Sequence, residues 1–381
     1  VTSRRAYLAL AALLLAGCTS HPTASPTPAP TTPSRPPATS PPAATPAPTA
    51  AAPAPYDPHD PRCRVTGAAG GADGTRPFAF AGPSVGVVAL GALLWRTIDG
   101  GATWEAGHEL AGEPTDIVSA GCQTLYASTW GAEVLRSDDA GETWTRRGDL
   151  GVTALAFVTP DVGYGLRTDE TEPYPTRLYA TKDGARTWRR VFAVGAPVAS
   201  VAADRTRLLV GVDDGILRST DGGAHLTRLL TTGMAMHVAL APGGAGGWAV
   251  GFRTVHYKPE YAAWYSPDLL HWRRIAGGRV QDHSGNYPPS VHSLTGVGAT
   301  YGAASAMFPG TDGRRGSVTV TTDGGRTLRR VFVGPAGDYY APRVSGIQWV
   351  DATHAYATVT DGRPLVYGTA DAGRTWKELS L

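Results

Sequence analysis

Between Arg253 and Arg343 the chain gathers side chains able to do chemistry: Arg253, His256, Tyr257, Glu260, Tyr261, Asp282, His283, Asn286, Tyr287, Asp338, Tyr339, Tyr340 and Arg343. Three of them are carboxylates. Two carboxyl groups facing each other across a cleft can cleave a glycosidic bond, one as acid and the other as base or nucleophile. Glu260, Asp282 and Asp338 are therefore the catalytic candidates. The other ten read as ligand-binding residues. Tyr rings beside His, Asn and Arg groups join broad contact area to hydrogen bonding, which suits sugars and protein partners alike. The plainer alternative is a set of solvated loops whose Tyr and Pro residues only pack the loops down.

What must position these residues is a repeat. Thr97-Ile98-Asp99-Gly100-Gly101-Ala102-Thr103-Trp104 returns six more times. Ser137 to Trp144 and Thr369 to Trp376 keep the full pattern S/T-x-D-x-G-x-T-W. Thr181 to Trp188 has Ala185 in place of the Gly. Ser219 to Leu226 and Thr321 to Leu328 lose the Trp, and His225 also replaces the Thr. Ser266 to Trp272 is one residue short. Each copy reads as a hairpin turn. The Asp carboxylate and a Ser/Thr hydroxyl can accept hydrogen bonds from turn N–H groups, the Gly takes a positive φ, and the Trp covers the turn. Asp99, Asp139, Asp183, Asp221, Asp268, Asp323 and Asp371 are thus structural, not catalytic. Their spacings of 40, 44, 38, 47, 55 and 48 residues have the period of propeller blades, each too thin to bury its own apolar faces.

The motif resembles the Asp-box, or BNR repeat, of sialidase-like and photosystem-assembly-factor-like β-propellers. That resemblance covers residues ~80–381 and implies an all-β fold of seven four-stranded blades, with the box joining strands c and d. It also implies that the boxes and a–b turns lie on one face and the b–c and d–a loops on the other, where propellers bind. Five long insertions, at 167–176, 253–262, 277–289, 309–315 and 335–343, all fall to that second face, four of them on blades 5 to 7. The chain ends on an outer strand, so residues 62–80 are an available pairing partner for closing the ring.

Activity is less specified than fold. A sialidase needs an arginine cluster, which Arg253, Arg279 and Arg343 could supply, and a Tyr–Glu pair, which Tyr257 and Glu260 could supply. The F/Y-R-I-P motif expected near the start of that fold is absent; Thr75-Arg76-Pro77-Phe78 is a poor substitute. The preferred reading is a non-catalytic propeller that binds a protein or glycan through one face. The alternative is an exported glycoside hydrolase, sialidase-like or polysaccharide-cleaving. A structural spacer is disfavoured by the one-sided insertions.

The amino end resembles a bacterial lipoprotein signal. Residues 1–17 carry two Arg and a short apolar run, and Leu15-Ala16-Gly17-Cys18 matches a lipobox, with Cys18 as the lipidation site. Ser3-Arg4-Arg5-Ala6-Tyr7-Leu8 also resembles a twin-arginine export motif, leaving the export route open. Residues 18–61 are rich in Pro, Ala and Thr and form a disordered linker; residues 62–381 form the propeller. The expected location is the bacterial cell envelope, lipid-anchored on the outer face of the cytoplasmic membrane. Cys63 and Cys122 then read as a disulfide. No His or Cys stands at zinc-ligand spacing near them, and neither a metal nor a cofactor is expected. With Lys plus Arg at 34 and Asp plus Glu at 32, and no basic tract, nucleic acid is not an expected partner.

Overall fold

Runs that alternate apolar and polar residues fold here as strands. The computed structural model describes residues 78–129, 133–168, 176–194, 198–241, 246–255, 258–279, 291–296, 302–306, 317–333, 343–361 and 363–381. They form seven four-stranded antiparallel sheets, spanning 78–109, 114–148, 154–194, 198–231, 235–279, 291–333 and 343–379. Within each sheet the strands pair in chain order and are called a to d here. All described strands belong to this β-propeller arrangement.

The core lies between sheets. Seven buried clusters are each shared by two consecutive sheets, and the seventh joins the last sheet to the first through Phe78, Phe80, Val88, Val350, Tyr356 and Val366. Of the expected pairing segment 62–80, residues 62–77 lie outside the described residues, and Phe78–Phe80 does not lend a strand to sheet 7. Phe78–Phe80 is strand a of sheet 1 and pairs with that sheet's own Gly86–Leu90, while sheet 7 is complete in itself. Closure is by side chains. Gln348 in sheet 7 bonds the main chain of Phe80 in both directions, Tyr356 stacks on Phe80, and the Tyr356 hydroxyl donates to Pro83 O at 2.6 Å. The a strands are sheet edges with unpaired main-chain groups. Asp116 and Ser200 meet such groups elsewhere, accepting from Leu155 N at 2.8 Å and Val238 N at 2.9 Å in the next sheet.

The repeated turns share one bonding scheme. In sheet 2, Asp139 accepts from Ser137 Oγ at 2.7 Å, Thr143 N at 2.9 Å and Thr143 Oγ1 at 2.5 Å, while Ser137 Oγ accepts from Gly141 N at 2.8 Å. The same set recurs around Asp99, Asp183, Asp323 and Asp371. Two features differ from the sequence expectation. Six of the turns hold two successive left-handed residues rather than one, such as Ala140 (φ 60°) with Gly141 (φ 88°) and Gly184 (φ 68°) with Ala185 (φ 67°); the short fifth turn holds one, Leu269 (φ 60°). Neither His225 nor His271 breaks the pattern: their Nδ1 atoms reach Asp221 Oδ2 at 2.6 Å and Asp268 Oδ2 at 2.7 Å, where the other turns use Thr Oγ1.

These bonds set the Asp charges. Burial pushes the Asp99 and Asp139 carboxyls up, but hydrogen bonds from Thr103 and Thr143 and the turn hydroxyls together bring them below the usual range. The Thr327 N–H leads in bringing Asp323 down to about 2, and the Thr375 hydroxyl leads for Asp371, also at about 2. Four of the turns also bond their own a–b turn: Gly100 N to Ser84 O, Ala140 N to Gln123 O, Gly184 N to Asp161 O and Ala372 N to Thr353 O. The turns and a–b loops therefore occupy one face, and the b–c and d–a connections emerge from the other.

Candidate functional site

Among the described residues, sheet 5 carries the longest strands. Strand b is Gly247–Val255 and strand c is Lys258–Ser266, nine residues each, against four to seven in the b and c strands of the other sheets. The sequence reading placed 253–262 in a loop. The structure instead extends the hairpin, leaving only positions 256 and 257 between the strands. The residues explain why: Phe252, Thr254, Val255 and Tyr261 favour a pleated backbone, and Arg253 stands directly opposite Glu260, a cross-strand pair of opposite charge. Pro259 falls one step past the last paired c–d position, Glu260 with Arg279, where strand c has a single neighbour. Strand d, Arg273–Arg279, likewise absorbs Gly277 to Arg279, which the sequence reading gave to a loop.

The hairpin places three expected site residues on the face opposite the Asp turns. Arg253 donates through Nε and Nη2 to Glu260 Oε2, at 3.0 and 2.8 Å. The Arg253 side chain is 43% exposed and that of Glu260 15%, so the pair presents a cation outward over a covered anion. Tyr261 follows on the same strand, half-buried.

A neighbouring element, missed by the sequence reading, completes this sector. Asp213 and Asp214 form the b–c turn of sheet 4. Asp214 O accepts from Thr232 N at 2.7 Å and Gly233 N at 3.3 Å, and Asp214 Oδ1 accepts from Arg228 Nη1 at 2.8 Å. Gly233, at φ 61°, lies against the hairpin: a Cβ there would stand 3.6 Å from Arg253 Nη1. Desolvation first, and the Asp214 charge second, push the Asp213 carboxyl up, although the residue keeps an exposed surface. In sequence, Asp213-Asp214-Gly215 is an ordinary tight turn, and nothing in it signals proximity to residue 253.

Arg343 opens strand a of sheet 7, Arg343–Trp349, and is not in a loop as expected. His256, Tyr257, Asp282, His283, Asn286, Tyr287, Asp338, Tyr339 and Tyr340 lie outside the described residues. So do Cys18 and Cys63, while Cys122 is buried and disulfide-bonded. Among the described residues, no group of three or more His, Cys, Asp or Glu is placed to hold a metal ion.

No protein-family model matches this chain, and no curated protein matches it. Solved structures do. The GH74 xyloglucanase from Xanthomonas campestris superposes with a TM-score of 0.59 at 16% identity, over 82% of this chain and 53% of that one. This chain thus spans about half the length of the xyloglucanase. YCF48 bound to D1 peptide superposes with a TM-score of 0.53 at 14% identity, over 81% of this chain and 95% of that one. YCF48 from Cyanidioschyzon merolae gives 0.53 at 17%, over 76% and 94%. At these identities the likeness bears on architecture alone, and the architecture is a β-propeller of four-stranded blades.

Proposed function

We propose that this chain is a non-catalytic, seven-bladed Asp-box propeller that binds an extended protein segment on the face opposite its Asp turns. The observation that carries the reading is the sheet 5 hairpin. Among the described strands its two nine-residue strands are the longest, and they present Arg253 over Glu260. The exposed guanidinium offers a segment forked hydrogen bonding, and Tyr261, on the opposite side of the same strand, offers a separate apolar contact. The YCF48 structure holding a D1 peptide supports a peptide as the ligand, because nearly all of that chain has a counterpart here. Two further parts of the reading rest on the sequence: a lipid on Cys18 tethers the propeller to the outer face of the cytoplasmic membrane, and a Cys63–Cys122 disulfide pins the segment entering the ring.

The test exposes the whole chain to a library of extended peptides and, separately, to xyloglucan and sialoglycoconjugates. Saturable peptide binding that weakens in Arg253→Ala, with no new reducing ends or free sialic acid, is the expected result. Turnover of either carbohydrate overturns the non-catalytic reading. Glycan binding without turnover overturns the choice of a protein ligand.

A further inference from the structure

The outermost strands of sheets 2 to 6 carry charge of one sign, whereas that of sheet 7, Lys377–Leu379, holds one Lys and one Glu. Strand d of sheets 2 to 6 comprises Thr145–Gly148, Arg189–Val194, Thr227–Thr231, Arg273–Arg279 and Arg329–Val333. Together they hold ten Arg and no Asp or Glu. The chain as a whole is nearly balanced. The corresponding strand of sheet 1, Glu105–Glu109, holds two Glu and no Arg. In the sequence these Arg residues are scattered in groups of one to three, roughly 40 to 55 positions apart, and form no tract. The fold gathers them, because each follows an Asp turn and every Asp turn feeds an outer strand.

Some of these Arg residues are already engaged. Arg146 and Arg147 pair with Asp149 and Asp138, Arg228 pairs with Asp214, and Arg273 donates to Gly324 O at 2.7 Å. Arg189, Arg190, Arg274, Arg329 and Arg330 are exposed and make no ion pair among the described residues. Asp183 and Asp323 stay charged but make no ion pair with these Arg residues; their oxygens accept from their own turns. Charge on an edge strand also deters pairing with another sheet, but either sign serves that purpose. Ten residues of one sign call for a second reason.

We propose that the outer edge of sheets 3 to 6 binds a linear, phosphate-bearing polymer. The guanidinium fork matches phosphate oxygens two at a time. Unpaired Arg on sheets 3, 5 and 6, with the paired but partly exposed Arg228 of sheet 4 between them, gives a flexible polyanion several points of attachment along a convex edge. A flat anionic bilayer touches such an edge over one or two sheets only. Nucleic acid is less suited, because the exposed described positions of these strands offer no aromatic ring on which a base can stack. The inference is independent of the hairpin site, which lies on a different face.

The experiment measures binding of the full chain to long-chain inorganic polyphosphate as salt is varied. Binding is expected, with the logarithm of affinity falling linearly against the logarithm of salt. Tripolyphosphate at equal total phosphate competes poorly, because linked contacts reinforce one another. The quadruple variant Arg189→Glu, Arg190→Glu, Arg329→Glu, Arg330→Glu loses affinity by roughly tenfold or more near physiological salt, with its circular dichroism unchanged. If that variant misfolds, the matching four Arg→Gln changes take its place. Arg253→Ala leaves polyphosphate binding unaltered. The proposal is overturned if polyphosphate is not bound or if the edge variants bind it as wild type does. It is also overturned if phosphatidylglycerol vesicles or single-stranded DNA are bound and polyphosphate does not compete.

Discussion

Gln348 and Phe80, 268 positions apart, exchange two hydrogen bonds: Phe80 N donates to Gln348 Oε1 at 2.8 Å, and Gln348 Nε2 donates to Phe80 O at 2.7 Å. One side-chain amide thereby imitates a strand partner at the junction where the end of the chain meets its beginning. Because every sheet uses four consecutive strands, no shared strand ties this junction together, and the burden falls on a few side chains. Gln348→Ala should lower stability by about 1–3 kcal/mol by leaving both Phe80 groups without partners. Gln348→Glu, which sets a carboxylate oxygen against Phe80 O, should lose at least as much. Equilibrium urea unfolding measures both; an alanine variant as stable as wild type would show that the junction is held by packing alone.

Asp139→Ala removes the acceptor for Ser137 Oγ, Thr143 N and Thr143 Oγ1. A loss of about 1–3 kcal/mol is expected, with ligand affinity of the folded fraction unchanged. A stable variant that no longer binds would place this turn in the binding site and reverse the assignment of faces.

The Asp turns also fix the response to acid. Asp323 and Asp371 are brought down to about 2, and Asp99, Asp139 and Asp183 are lowered as well. A carboxyl whose folded pKa is depressed stabilises the fold fully above its unfolded value, near 4, and that contribution disappears as pH falls through the folded value. Stability should therefore hold down to about pH 4 and decline towards pH 2. Tryptophan fluorescence across an acid titration tests this; unfolding complete by pH 5 would point to other groups.

Left-handed positions make the turns sensitive in opposite directions. Ala372, half-buried at φ 61°, should become more stable as Gly by roughly 0.5–1 kcal/mol through relief of strain. Gly325→Ala should be destabilising, since its φ is 80° and a Cβ would collide with the Ile275 side chain. Thermal melts of the two variants should move apart; shifts in the same direction would contradict the strain argument.

On the binding face, Arg253→Ala should weaken peptide binding while changing stability by no more than about 1 kcal/mol, as befits a partly exposed ion pair. Tyr339→Ala combined with Tyr340→Ala should likewise reduce binding and spare the fold. Isothermal titration with a captured peptide, read beside a melting curve, separates the two effects. A double Tyr variant that unfolds would assign those rings to packing.

The sequence by itself determined the local scheme. Each Asp turn is written in seven or eight residues, because the carboxylate, the hydroxyl and the left-handed residues are close neighbours in the chain. Their recurrence also places four strands around each turn. What lay beyond reach was whatever depends on residues far apart. That His225 and His271 take over from Thr follows from ring geometry at the Asp carboxylate, not from residue similarity. The expected loop at 253–262 proved to be a hairpin, because the register that sets Arg253 against Glu260 is decided by strand c, and strand c by the sheet around it. Asp213 and Asp214 join Arg253 only because sheet 4 packs beside sheet 5. The one-signed outer edge and the Gln348–Phe80 closure are likewise products of tertiary structure: charge density and ring closure depend on distance in space, and the order of residues carries that distance only through the fold.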